Sequence, residues 1–206
     1  MRLISVFLFV VFGSINSAHA KLTDYIDKRN KRFTSFAMVK ELIKQRQLTT
    51  WVETGTSRYG AKQCESDGCS TMVYSDWLRE LPGEMYSVDI DPRSIAASRA
   101  ALRYSFDKIH FVTGDSIEFL KNFDRPIDFL YLDSYDFDFN NHAPSQGHHL
   151  NEIKAAYDKL HDLSVIMIDD CDLPGGGKGK LVIEYLTQNG WMIVYSGYQV
   201  ILIKNI

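Results

Sequence analysis

"MYSVDIDPRSIAASRAALRYS", Met85 to Ser105, holds the transition that decides the fold. Its first six residues, 85–90, read as a strand. From residue 92 it reads as a helix, with Pro92 in the first turn, where proline's missing N–H has no helical partner to lose. A strand that runs straight into a helix is half of a strand-helix-strand unit. The same pairing recurs on both sides. Downstream, "IHFVTG" (109–114) is a strand and "SIEFLKNF" a short helix. Upstream, an amphipathic helix over about 33–47 precedes the strand "TWVET" (50–54), a polar loop and a helix over about 70–80.

The second half continues the alternation. "IDFLYLD" (127–133) is as apolar as the centre of a sheet requires. A helix over 149–162, the strand "SVIMID" (164–169) and a helix over 179–189 follow. "WMIVYS", a turn at Gly197-Tyr198 and "QVILIK" then form a hairpin, so the last strand runs antiparallel to its neighbour. The expectation is an α/β chain: one doubly wound, Rossmann-like sheet of about seven strands, mostly parallel with an antiparallel C-terminal strand. No repeat or linker divides residues 21–206, which read as one domain.

Such sheets bind ligands beyond the carboxyl ends of their strands. Here those ends carry Glu53 and Gly55, Asp89 and Asp91, Gly114-Asp115, Asp133, and Asp169-Asp170. One such carboxylate alone would be a helix cap; five strand ends in succession point to a site. In "WVETGTSRYGAK" (51–62), Gly55 permits a tight turn and Gly60 extends that freedom. The stretch is not G-x-G-x-x-G, so a pyrophosphate has no fingerprint. Asp89 is placed to accept hydrogen bonds from ribose hydroxyls, and Asp115-Ser116 to bond an adenine amino group. An acidic pocket suits the positive sulfonium of S-adenosylmethionine and disfavours NAD.

"VETGTSRYGA", "YSVDIDP", "TGDS", "YLDSYD" and "IDD", in this order, resemble the successive motifs of class I S-adenosylmethionine-dependent methyltransferases. The resemblance covers roughly residues 33 to 206 and is nearest to the macrocin and mycinamicin type of O-methyltransferase. It implies methyl transfer to a hydroxyl of a small molecule. Glu53, Gly55 and Thr56 would line the methionine end, with Gly60 also among the cofactor-binding residues, Asp89 would hold the ribose, and Asp115 and Ser116 would face the adenine. It also implies a divalent metal, Mg²⁺, on Asp133, Asp169 and Asp170, lowering the pKa of the acceptor hydroxyl. The 36 residues from Asp133 to Asp169 exceed the spacing expected of the family, and Asp136 and Asp138 in the surplus are alternative ligands. The lysine that catechol-type relatives carry three residues after the first ligand is replaced by Asp136. Histidine is a suitable proton acceptor near neutral pH, so His149 and then His148 are the candidate bases, with His142 nearby. Lys178 is placed to contact an acidic substrate.

The chain's 206 residues carry a net charge of −3 and no cluster of Lys and Arg dense enough to supply a basic field for nucleic acid, so no nucleic-acid partner is expected. Residues 1–20, "MRLISVFLFVVFGSINSAHA", read as a signal peptide cut after Ala20, with a short anchor or an apolar first helix as alternatives. The apolar run is too short for a membrane span. Export, periplasmic or secreted, is therefore expected, against a cytoplasmic alternative. In an exported protein Cys64 and Cys69 are candidates for a small-loop disulfide. Cys171 reads as a packing residue or a free thiol. Two other functions stay open: a ligand-binding protein without catalysis, and an oxidoreductase of the cephalosporin-hydroxylase type. A homo-oligomer is allowed by the sequence.

Overall fold

The computed structural model describes residues 21–102 and 107–204. The signal-peptide expectation and the end of the helix drawn to residue 105 lie outside the described residues. The elements are α1 (Phe33–Arg46), β1 (Thr50–Thr54), α2 (Cys64–Asp67), α3 (Ser70–Glu80), β2 (Glu84–Asp89), α4 (Pro92–Ala101), β3 (Ile109–Thr113), α5 (Ser116–Asn122), β4 (Ile127–Leu132), α6 (Ala143–Ala156), β5 (Leu160–Ile168), α7 (Lys180–Gln188), β6 (Trp191–Ser196) and β7 (Val200–Lys204). Short 3₁₀ turns precede α1 (Leu22–Asp24) and fill the α6–β5 (Tyr157–Lys159) and β5–α7 (Pro174–Gly176) connections.

The strands form one seven-stranded sheet in the order β3-β2-β1-β4-β5-β7-β6. β1 to β5 run parallel; β7 lies antiparallel to both β5 and β6. Alternate residues of the central strands supply the two faces of the core. Trp51, Phe129, Tyr131 and Met167 pack with Phe36 of α1 and Tyr74 of α3. Val52, Leu130, Leu132 and Ile168 pack with Leu120 of α5, Ile153 of α6 and Val182 of α7. Burial on both faces explains why these strands read as unbroken apolar runs.

The strand ends are level. Gly55 N–H donates to the Val88 carbonyl, Gly114 to Asp89, Asp133 to Thr54 and Asp169 to Leu132, at 2.8–3.1 Å. The candidate residues therefore stand along one rim. No helix among the described residues is long and apolar enough to cross a membrane.

One helix is displaced from its expected place. α6 begins at Ala143 with Pro144 in its first turn and ends at Ala156, six residues earlier at each end than 149–162. Gly147, unfavourable inside a helix by about 1 kcal/mol, masks this start in the sequence. The shift puts His148 and His149 inside the helix, away from its first residues.

Candidate active site at the strand ends

A cavity of about 260 Å³ opens at the rim, lined by Gly55, Asp89, Ile90, Asp115, Ser116, Ser134, Tyr135 and His148 among others. Four of the expected cofactor residues meet here: Gly55, Asp89, Asp115 and Ser116. Gly55 adopts φ +81°, and a Cβ there would overlap the Asp133 carbonyl. Only glycine lets the turn pass this close. Asp89 accepts hydrogen bonds from the backbone N–H groups of Thr56 (3.1 Å) and Asp91 (2.8 Å), so it also ties the glycine turn to its own strand. Asp115 caps α5 by accepting from Glu118 N–H, and Asp91 caps α4 in the same way.

The other three expected cofactor residues stand behind the cavity wall. Gly60 packs against Ala97 and Ala101 of α4. The Thr56 hydroxyl is engaged with Thr71 and Ser98. Glu53 is buried within β1, one oxygen accepting from Thr71 (2.8 Å) and Ser87 (2.7 Å), the other without a hydrogen bond. Burial pushes its pKa up to about 7, against the pull of the surrounding hydroxyls.

The two histidines separate. His148 lines the cavity with its Nε2 3.2 Å from the Ser116 hydroxyl and 3.4 Å from the fully buried Glu152 carboxylate. Burial works to lower its pKa, but Glu152 and Asp115 outweigh that and raise it. His149 is wholly buried, with Nδ1 2.7 Å from the Ser145 carbonyl and Nε2 unpartnered. Burial lowers its pKa. His148 therefore faces the adenine side expected of Ser116, and His149 has no opening to the rim.

The three acidic residues expected to hold a metal do converge: Asp133, Asp169 and Asp170 can each offer an oxygen within 4.8 Å of the others. Their oxygens, however, already have cationic partners. Arg32, buried just ahead of α1, places Nε 3.1 Å from both oxygens of Asp169 and Nη2 2.8 Å from one of them. Lys178, 2% exposed, bridges Asp133 at 2.8 Å and Asp170 at 3.0 Å. The Tyr198 hydroxyl donates to the other Asp170 oxygen. A Mg²⁺ ion needs oxygens at about 2.0–2.1 Å, and the Lys178 ammonium stands between the two carboxylates it would bind. As folded, this donor set does not fit a divalent ion. The alternative ligand Asp136 is paired with Arg58 at 2.7 Å.

The glycine loop is fastened rather than free. Gly175, Gly176 and Gly177 all have positive φ, and a Cβ on Gly177 would overlap the Asp170 carbonyl. The Gln146 amide donates to the carbonyls of Gly175 and Gly177. Lys178 was legible as a polar loop residue, but its partners are acidic side chains of the protein and not of a substrate. Arg32 carried no signal of its own: it ends the basic run Lys28-Arg29-Asn30-Lys31-Arg32, and nothing in that run marks one member as the partner of a strand end. Cys64 and Cys69, the candidate pair, are joined in a disulfide, and Cys171 is a free thiol.

Residues 66–171, just over half of the chain, match the family described as "Methyltransferase domain". The protein belongs to this methyltransferase family. No curated protein sequence matches the chain. Solved methyltransferases share the fold at low identity. The SAH-bound methyltransferase PaMTH1 of Podospora anserina is 16% identical with a TM-score of 0.58, over 84% of this chain and 78% of that one. The O-methyltransferase NovP is 14% identical with a TM-score of 0.60, over 85% and 80%. MycE, a methyltransferase of mycinamycin biosynthesis solved with Mg and SAH, is 15% identical with a TM-score of 0.57; the match spans 82% of this chain and about half (49%) of MycE. Structures described as rRNA methylases share the fold as well, so the fold of this methyltransferase does not itself exclude a nucleic-acid acceptor.

Proposed function

We propose that the protein transfers a methyl group from S-adenosylmethionine to a hydroxyl of a small molecule. The observation that carries this is the rim cavity, where Asp89 and Asp115 stand beside a glycine turn without a phosphate-binding fingerprint. Asp89 would accept from the ribose hydroxyls. Ile90, 74% exposed, and Tyr135 flank the space for the adenine ring, and Asp115 and Ser116 meet its edge. His148 closes the same side, backed by Glu152.

A polar hollow of about 640 Å³ shares Asp89, Ile90 and Ser134 with the cavity and is the proposed acceptor space. There the acceptor oxygen attacks the sulfonium methyl; the C–S bond breaks, the C–O bond forms, the hydroxyl proton passes to solvent water in the open hollow and S-adenosylhomocysteine leaves. The protein's contribution is chiefly alignment of the two reactants. A small acceptor is favoured over a nucleic acid by charge. Arg58 and Arg93 in the hollow are paired with Asp136 and Asp91, and the chain's net charge is −3. Phosphate backbones are held by unpaired basic side chains.

Calorimetry with S-adenosylmethionine tests the reading. Wild type is expected to bind, and Asp89→Asn to bind at least 10-fold more weakly. No binding at millimolar cofactor overturns the methyltransferase reading; binding without turnover across hydroxylated acceptors favours the ligand-binding alternative.

We also propose that the chain is exported, with the Cys64–Cys69 disulfide as supporting observation, since such bonds persist in oxidising compartments. Sequencing the mature N-terminus checks this: a start at Lys21 is expected, and a start at Met1 defeats it.

A further inference from the structure

We infer that Lys178 is a resident cation standing in the place of a divalent ion, which closes the carboxylate cluster and makes methyl transfer independent of metal. The activity half of this inference rests on the methyltransferase reading; the metal-binding half does not.

Three features show that the ammonium is built into the cluster and is not an incidental surface pair. First, the loop that delivers it has one workable backbone. Three successive glycines take left-handed φ values of 69°, 88° and 58°, and the Gln146 side chain holds two of their carbonyls. Lys178 N–H then donates to the Asp170 carbonyl at 3.1 Å, which folds the side chain back over the strand ends. Second, Asp170 itself sits at φ +54°, a conformation that costs a non-glycine residue energy. The Tyr198 hydroxyl holds its carboxylate on the side opposite to Lys178. Third, Asp169, the remaining carboxylate, is fully buried and gripped by Arg32 from the other side. That guanidinium is braced in turn: Ser66 accepts from its Nη1, and Gly68 packs on its stem.

The result is three carboxylates facing two buried cations across the ends of β4 and β5. A divalent ion entering between Asp133 and Asp170 would have to displace a buried ammonium that already pairs with both carboxylates. Truncation of Lys178 removes that obstacle and leaves two carboxylates free to converge, so it is expected to create a metal site where none exists.

The test uses the full mature chain and Mn²⁺ as probe, read by electron paramagnetic resonance of the free ion and by calorimetry. Wild type is expected to take up no Mn²⁺ at 1 mM. Lys178→Met is expected to bind one equivalent at least 100-fold more tightly than wild type. Lys178→Met combined with Asp133→Asn, which restores the charge balance and keeps the fold accessible if the single variant is unstable, is expected to lose that binding. Stoichiometric Mn²⁺ uptake by wild type, abolished by Asp133→Asn, overturns the inference. So does a folded Lys178→Met variant that binds no Mn²⁺. In a separate arm, methyl transfer by wild type is expected to be unchanged in EDTA; a loss restored by added metal also overturns it. Absence of any transfer in either condition, with Mn²⁺ binding as expected, counts against the methyltransferase reading and leaves the resident cation standing.

Discussion

Arg32 and Asp169 are 137 residues apart in the chain and meet as a fork, the guanidinium Nε 3.1 Å from both carboxylate oxygens and Nη2 2.8 Å from one. Both side chains are almost wholly shielded from water. Cutting such a pair on one side leaves a charge buried without its partner, at a cost of about 3–5 kcal/mol. Arg32→Met is therefore expected to lower the urea midpoint severely. Arg32→Lys should recover less than half of the loss, because an ammonium cannot present two parallel N–H groups to one carboxylate. An unchanged midpoint in Arg32→Met would show that the fork contributes nothing.

Gly55→Ala is expected to damage cofactor affinity and stability together. The added methyl meets the Asp133 carbonyl, and alanine disfavours φ +81°. The expected cost is about 1–3 kcal/mol of stability, in the range of backbone strain, with at least a 10-fold loss of S-adenosylmethionine affinity. Gly147→Ala, in α6 and outside the cavity lining, whose Cβ also meets nothing within 4 Å, is the control and should fold and bind cofactor at least as well as wild type does. Calorimetry and thermal unfolding of the two variants side by side decide the point.

Glu53 makes stability fall as pH rises. Its carboxyl is raised from 4.5 to about 7 by burial, so the folded chain holds this proton more tightly than the unfolded chain does. The stabilisation is fully present below about 4.5 and is lost as pH rises through about 7, a span on the order of 3 kcal/mol. Glu53→Gln stays neutral at every pH and should remove this slope. Urea unfolding at half-unit intervals between pH 4.5 and 8 measures it; parallel profiles for the two proteins would refute the assignment.

The disulfide is expected to act on Arg32 through its loop. Cys64 and Cys69 close a ring of five-residue separation, worth about 2 kcal/mol by loop entropy. The same loop carries Ser66 and Gly68, which support the guanidinium. Reduction should therefore lower thermal stability and speed hydrogen exchange at Arg32 as well as within the loop. Exchange confined to residues 63–69 would mean the loop does not support the cluster.

The architecture was legible because each strand of the sheet centre announces itself by composition. "IDFLYLD" and "SVIMID" are apolar on both faces, and the structure packs both faces. The cofactor side was legible for a related reason: Gly55, Asp89, Asp115 and Ser116 each stand at the last residue of a strand or within three residues beyond it, and level strand ends bring such residues together. The start of α6 was hidden because Gly147 argues against helix within the very turns that Pro144 begins. The cations were hidden more deeply. Carboxylates at strand ends can be read one strand at a time, but Arg32 and Lys178 reach them from other segments, and only the folded chain shows that the space between those carboxylates is filled.

β7 follows β6 in the chain, yet lies between β5 and β6 in the sheet. β6 therefore has no strand to pair with until β7 has taken its place between β6 and β5. The turn joining the two carries Tyr198, which reaches the Asp170 carboxylate, and Gln199, whose amide meets the Tyr131 hydroxyl. Without this hairpin the chain would expose both the flank of β5 and an unfinished charge cluster. Completion of the rim therefore depends on both ends of the chain: the approach to α1, with Arg32, and the last hairpin, with Tyr198, close the same cluster.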